Sequence, residues 1–490
     1  MKKVAVIGSG FSSLAAAIDI SSMGYHVEVF EKNNSIGGRA RQLKSNGFTF
    51  DMGPSWYWMT DVFDDFFEKH GKKTADYFEL EKLNPGFSVV FGPEDKINVS
   101  SSFDELKSCF EAIEKGSAKK LEKFMKNAKI KYDIGMKDLV VKPSHSIFEF
   151  INFKVIKGLF YLNIFSSFNR YVRRYFKDSR LIQLMEFPIL FLGATPENTP
   201  ALYSLMNYTG MVEGTYYPKG GFYSVIKAFE RLSKESGVIF HLNSTVDKIN
   251  VDNKNVKSII VNGNKLSFDA VVAGADYHHV ESKLLDKKYR NYTENYWNSR
   301  KLAPSSLLFY IGVNKKLSNI EHHTLFFDED FKKHAKDIYE DPKWPTKPLF
   351  YLSCSSISDT KVAPEGMDSL VFLIPIAPGI EDSEEIRLKY LSIILNRFRD
   401  LTGNDIRENI IFNQSYCLDD FVSDYNSFKG NAYGLANTLK QTAILKPKIR
   451  NKKVKNLFYT GQLTVPGPGV PPSIISGQIA AKEVNKFFNS

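Results

Sequence analysis

The first twenty residues constrain this chain most. An apolar run, Val4-Ala5-Val6-Ile7, leads directly into Gly8-Ser9-Gly10 and then into Leu14-Ala15-Ala16-Ala17-Ile18. A buried strand, a turn whose glycines let the backbone bend and approach a ligand, and a helix of small residues follow in the order of a dinucleotide-binding βα unit. In such a unit the helix N-terminus holds phosphate charge. A second strand, His26 to Phe30, ends on Glu31, near the separation of about 20 residues at which a carboxylate accepts hydrogen bonds from ribose hydroxyls. Ser13 stands where the third glycine of GxGxxG would be; a small hydroxyl still fits a close helix–strand packing. The alternative is a plain buried βαβ unit, and the ordered strand, turn, helix, strand and acid favour the nucleotide.

Glu31-Lys32 is followed by Gly37-Gly38-Arg39 and by Phe50-Asp51-Met52-Gly53-Pro54. This succession resembles the FAD-binding superfamily of amine oxidases, protoporphyrinogen oxidases and carotenoid desaturases. Gly37 and Gly38 let backbone amides come close to a diphosphate, and Arg39 supplies a fixed cationic fork. The candidate cofactor-binding residues in this half are Gly8, Gly10, Ser13, Glu31, Lys32, Gly38, Arg39, Gly53 and Pro54.

A chain of 490 residues with 39 Phe and 24 Tyr can bury a wide apolar interior and should form two domains, here read as interleaved. Its three cysteines, Cys109, Cys354 and Cys417, are far apart, which argues against a disulfide framework or zinc site and for a reducing compartment. The paired His278-His279 do not share a face, and no third ligand is spaced near them, so no metal is expected. Met1-Lys2-Lys3 mimics the start of a signal peptide, but the fingerprint accounts for the residues that follow and Asp19 interrupts the apolar run. No uninterrupted apolar run approaches the roughly 18 residues of a spanning helix. The expectation is a cytoplasmic protein peripherally associated with the membrane.

The net charge of +10 favours an anionic partner. Nucleic acid is not expected, because the basic residues are spread along the chain without a recognition motif. Between Ile147 and Lys177, bulky apolar residues alternate with Lys154, Lys157, Arg170, Arg173, Arg174 and Lys177. This is either a segment lying in a bilayer interface or two helices with a core face and a solvated face.

Farther along, Tyr216-Tyr217-Pro218-Lys219-Gly220-Gly221-Phe222 leads into an amphipathic helix, Tyr223 to Ser236, and then into short strands near Val238, Thr245, Lys257 and Ala270, with Asn262-Gly263 as a hairpin turn. Near the end, Asn456 to Gly461 reads as a buried strand. Pro466-Gly467-Pro468-Gly469-Val470 then opens a last helix, whose N-terminus would favour negative charge on a reduced flavin.

These motifs, with His322-His323-Thr324, Ala363 to Gly366, Asn426 to Ala443 and Asn456 to Gly477, resemble bacterial-type phytoene desaturases along nearly the whole chain. The chain departs from them at Ser13 and at Thr464-Val465-Pro466-Gly467, where many relatives carry a histidine before Pro-Gly. The resemblance implies an α/β fold: a Rossmann-like FAD-binding domain (1–95, 215–295 and 425–490) interleaved with an α+β substrate-binding and membrane-associating domain (96–214 and 296–424). It adds Val246, Gly461 and Val470 to the cofactor contacts. It further implies successive FAD-dependent dehydrogenations of a long polyene hydrocarbon, most simply phytoene to lycopene, with oxygen or a quinone reoxidising the flavin. Glu149 is the candidate proton acceptor. The alternatives are a carotenoid isomerase or saturase, a flavin amine oxidase, and a lipid-binding escort-type protein of the same fold.

Overall fold

The run Lys3–Ile7 is the middle strand of a five-stranded parallel sheet ordered Leu457–Tyr459, Ala270–Ala273, Lys3–Ile7, His26–Phe30, Ile239–His241. Its residues are apolar without interruption because both faces are covered. Val4 and Val6 pack with Ala16, Ile20, Ile475 and Ile479 of two helices, Phe11–Ser22 and Val470–Phe488. Ala5 and Ile7 point the other way, toward Ile249 and Ile259 of a three-stranded antiparallel sheet, Val246–Asp252, Asn255–Val261 and Asn264–Ser267. Asn262 and Gly263 form the two-residue turn of its second hairpin, both with positive φ. The two helices approach closely because Gly477 has no side chain: a Cβ there would lie 2.2 Å from the Ser12 carbonyl oxygen. These statements come from a computed structural model that describes residues 1–150, 162–163 and 166–490.

A second body is built on a seven-stranded sheet, ordered Ile410–Tyr416, Ser305–Val313, Asp368–Ile376, Phe350–Ser353, His323–Phe326, Phe87–Gly92, Asp95–Val99. The hairpin Phe87–Gly92 and Asp95–Val99 straddles residue 95 and belongs wholly to this sheet. The helices Phe103–Ile113, Ser117–Ile134 and Ser179–Glu186 cover one face, sharing a core with Val89, Leu325 and Tyr351. Four residues stand in one cross-strand row on that face and continue to a fifth: Leu308 pairs with Leu373, Leu373 with Tyr351, Tyr351 with Leu325, and Leu325 with Val89.

The basic aromatic segment divides. Lys154 and Lys157 lie outside the described residues. From Phe168 onward the core face prevails: Phe168, Tyr171, Val172 and Phe176 are buried with the helical layer, and Arg173 pairs with Glu186 at 2.5 Å. Near its start Ile147 and Phe148 remain 56% and 77% exposed. Among the described residues no helix is long and apolar enough to cross a membrane.

Candidate functional site

A long cleft runs from the carboxyl ends of Lys3–Ile7 and His26–Phe30 to the start of the final helix, and it meets the seven-stranded sheet at Ser306, Leu308 and Leu373. Ligands of open parallel sheets bind at such strand ends. Eleven of the twelve residues expected to hold the cofactor line it: Gly8, Gly10, Glu31, Lys32, Gly38, Arg39, Gly53, Pro54, Val246, Gly461 and Val470.

Gly10 caps the helix Phe11–Ser22 with no side-chain partner, so the first-turn N–H groups are left for a ligand. A Cβ built on Gly10 would meet no protein atom within 4 Å. Neither backbone strain nor protein packing therefore demands glycine there; the open cradle does. Gly38 closes the other side, where a Cβ would come within 3.2 Å of Gly10 Cα. Glu31, 5% exposed, accepts hydrogen bonds from Ser9 N at 3.0 Å, Ser9 Oγ at 2.6 Å and Asn33 N at 2.9 Å. These hold its carboxylate beside the glycine turn.

Arg39 donates from Nη2 to Ser427 Oγ at 3.1 Å and to the Asn431 carbonyl at 3.2 Å, and its guanidinium lies 5.1 Å from the Tyr425 ring centre. Its Nε is buried without a partner among the described residues. Burial lowers the Arg39 pKa, and Asp276 opposes that shift; the Asp276 carboxyl is in turn raised by burial, against the pull of Arg39. Gly53 lets the chain pass directly over Arg39, since a Cβ there would lie 2.1 Å from the Arg39 carbonyl oxygen. Lys32 donates to the Ser423 carbonyl at 2.5 Å. At the far end, Gly461 N donates to Ser476 Oγ at 3.0 Å, and Gly469 caps the final helix without a side-chain partner.

Ser13 is the residue outside the cleft. It is fully buried, its hydroxyl has no partner among the described residues, and a Cβ on Gly274 would fall 1.9 Å from its Oγ. The third fingerprint position faces the end of the neighbouring strand rather than the ligand, and the glycine needed for close packing stands just past that strand, Ala270–Ala273, instead.

Glu149 is also elsewhere. Its carboxylate accepts from the backbone N–H groups of Ser144, His145 and Ser146 at 3.0, 2.7 and 2.9 Å, which turns it onto its own loop. His278 bonds Glu294 at 2.9 Å, whereas His279 lines the cleft and is lowered to about 4 by burial. Asp276, Asp424, Tyr425, Asn426 and Tyr433 also line it, although the sequence reading assigned them no contact. The one available signal was the position of Asn426 and Tyr433 inside the Asn426–Ala443 motif.

The donor set suits a flavin dinucleotide: an uncapped helix start and an open glycine for the diphosphate, a buried acid for a ribose, and a second uncapped helix start for the ring system. A family described as flavin containing amine oxidoreductase matches residues 11–485. A carotenoid 3,4-desaturase of Haloarcula japonica is 37% identical over 480 residues, covering 98% of this chain and 97% of that protein. A zeta-carotene-forming phytoene desaturase of Myxococcus xanthus is 29% identical over 491 residues, covering 99% and 94%. Among solved structures, a double mutant of putrescine oxidase superposes with a TM-score of 0.64 at 14% identity, covering 99% of both chains.

Proposed function

The chain belongs to the flavin-containing amine oxidoreductases and, within them, to the carotenoid desaturases, FAD-dependent oxidoreductases acting on CH–CH groups; from that premise we propose that it desaturates a long acyclic polyene, converting phytoene to lycopene through successive dehydrogenations. The observation that carries the substrate class is the row Leu308, Leu373, Tyr351, Leu325 and Val89. It starts in the cofactor cleft and runs beneath the helical layer. A hydrocarbon gains about 0.8 kcal/mol for each CH₂ moved from water onto an apolar surface, and Leu308 and Leu373, the end of the row that lines the cleft, offer such a surface to a chain without polar handles.

FAD held along the cleft by Gly10, Glu31, Gly38 and Arg39 would supply hydride-accepting redox chemistry beside an allylic carbon. The surrounding chain orients the polyene along the row and excludes water. The adjacent carbon must lose a proton, and the group in this wall that can take it is His323. Its Nδ1 lies 2.6 Å from Tyr351 Oη, which lies 3.0 Å from Ser55 Oγ, and its ring stacks on Trp56 at 4.4 Å. Its Nε2 is buried without a partner among the described residues. Burial, with His322 alongside, holds the imidazole well below its ordinary pKa, so it is neutral, and with Nδ1–H donating to Tyr351 Oη its Nε2 carries the lone pair that would meet the proton. An ionised carboxylate would be far costlier to keep in so apolar a place.

The substrate would enter from a bilayer. Ile147 and Phe148 are exposed beside Lys448, whose Nζ donates to the Ser144 carbonyl at 2.7 Å, and this apolar and basic edge is the proposed contact of a peripherally bound cytoplasmic protein. Oxygen or a quinone would reoxidise the flavin. The 37% identity to a carotenoid 3,4-desaturase favours a second reading, in which an already conjugated carotenoid loses hydrogen at its 3,4 bond. Two liposome assays separate them. Phytoene turned into lycopene supports the first; inert phytoene with further desaturation of lycopene supports the second.

A further inference from the structure

The cofactor cleft has a roof that comes from the other body of the molecule. Directly after the edge strand Ile410–Tyr416 of the seven-stranded sheet, a short helix, Leu418–Tyr425, crosses the cleft, and the chain returns through Asn426 to Gly430. The helix is two-faced. Phe421, Asp424 and Tyr425, at helical spacing, share the side that lines the cleft, and Asn426 lines it beside them; Val422 is 46% exposed on the other side. The ends of the segment meet. A Cβ on Gly430 would lie 2.7 Å from the Leu418 carbonyl oxygen, and Asn426, Lys429 and Gly430 turn the chain back with positive φ. Ser305 Oγ donates to the Gly430 carbonyl at 2.6 Å and fixes this base to the sheet. Leu418–Gly430 is therefore a flap that leaves the sheet and returns to it at one place.

Across the cleft, residues of the cleft wall hold the flap. Lys32 Nζ donates to the Ser423 carbonyl at 2.5 Å, Asn33 Nδ2 to the Asp424 carbonyl at 3.3 Å, and Arg39 Nη2 to Ser427 Oγ at 3.1 Å. Phe428 N donates to Asp276 Oδ2 at 3.2 Å, and the Phe428 ring rests 4.1 Å from that of His278. Arg41, outside the cleft lining, closes the edge with an ion pair to Asp424, whose carboxylate also accepts from Tyr416 Oη at 2.8 Å. Most of these contacts are polar and individually modest, so a flap held this way opens at lower cost than an element packed into a core. Lys32 and Asn33 directly follow Glu31. The flap thus lies over the end of the cleft where the buried acid is placed for a ribose.

We propose that the flap Leu418–Gly430 is the lid of the cofactor site: its displacement admits and releases FAD, and the Arg41–Asp424 pair is its latch. Closed, it lays Asp424, Tyr425 and Asn426 over the adenosine half of the dinucleotide. Lys32 and Arg39 serve both the cleft and the flap, so seating the cofactor and closing the lid reinforce one another. The inference rests on the assignment of FAD and is independent of which polyene is desaturated.

The test follows FAD itself in the full-length protein, with no polyene present. Flavin fluorescence changes between bound and free states, so release on dilution and uptake by apoprotein can both be timed. In Asp424→Ala and in Arg41→Ala, release should be about tenfold faster and uptake also faster, because the flap is open for a larger fraction of the time. The double variant should release FAD no faster than either single one, since the two residues make one contact. Amide hydrogen exchange across 418–430 should slow in the parent protein when FAD is added. Should the Ala variants fail to fold, Asp424→Asn keeps the side-chain volume without the charge and should show the same faster release and uptake. Parent rates in folded Asp424→Ala or Asp424→Asn protein would overturn the proposal. So would faster release with unchanged uptake, which would make Asp424 a contact and not a latch, or exchange across 418–430 that FAD leaves unaltered. A parent protein that takes up no FAD would instead overturn the cofactor assignment, so the two failures are distinguishable.

Discussion

The cofactor cleft and the seven-stranded sheet meet at Leu308 and Leu373, yet they record their ligands in opposite ways. On the cofactor side the expected ligand is charged and of fixed shape, and the cleft offers it backbone and one buried acid. Gly10 is open to the cleft, Gly38 lies against Gly10, and Glu31 is fixed by Ser9. Each of these demands a particular residue type. On the sheet side a hydrocarbon asks only for apolar area, and Leu308, Leu373 and Leu325 could exchange with other apolar residues of like volume at small cost. Strict residues mark where a ligand has directional chemistry, and permissive ones mark where it has none.

The sharpest way to break this contrast is Gly10→Val. Its side chain would fill the open cradle, so the purified variant should carry no flavin; a normal flavin spectrum would mean that the cleft is not the cofactor site. His323→Gln comes next. Removing the proposed base should slow anaerobic flavin reduction by polyene about a hundredfold, with FAD content and the dithionite-reduced spectrum unchanged. Wild-type rates would remove His323 from the chemistry.

Leu373→Trp probes the row itself. A bulkier side chain where cleft and row join should lower polyene turnover about tenfold, roughly 1.4 kcal/mol of barrier, while FAD stays bound; equal turnover would place the hydrocarbon elsewhere. The smallest effect concerns Asp51, whose carboxyl is pushed up to about 7 by burial, although it accepts from the backbone N–H groups of Phe222 and Tyr223, which pull it down. A raised carboxyl stabilises the fold fully below its unfolded value near 4 and loses that contribution as pH rises through about 7. Asp51→Asn should therefore flatten the fall in Tm between about pH 4 and 7, as thermal unfolding at a series of pH values would register.

The same contrast explains what could be read from the sequence. The fingerprint, the acid after the second strand and the last helix were legible because each follows from a local rule of turn, cap or alternation. Ser13 was legible only as a departure; its meaning needed Gly274, which lies 261 positions along the chain but directly against it. Asp276 and Asp424 enter the cleft through tertiary folding, with no local signal. The hairpin Phe87–Val99 joins the seven-stranded sheet by pairing with His323–Phe326, a contact that local alternation does not encode. Glu149 sits in an acidic-aromatic stretch, but three nearby amides claim its carboxylate.

The most direct test of the central claim is anaerobic single turnover in liposomes, with FAD-loaded protein mixed with phytoene and both chromophores followed together. The account predicts that flavin absorbance bleaches while the polyene spectrum shifts to longer wavelength, in equal amounts. Flavin that stays oxidised with phytoene and lycopene alike, yet bleaches on addition of an amine such as putrescine, would contradict it.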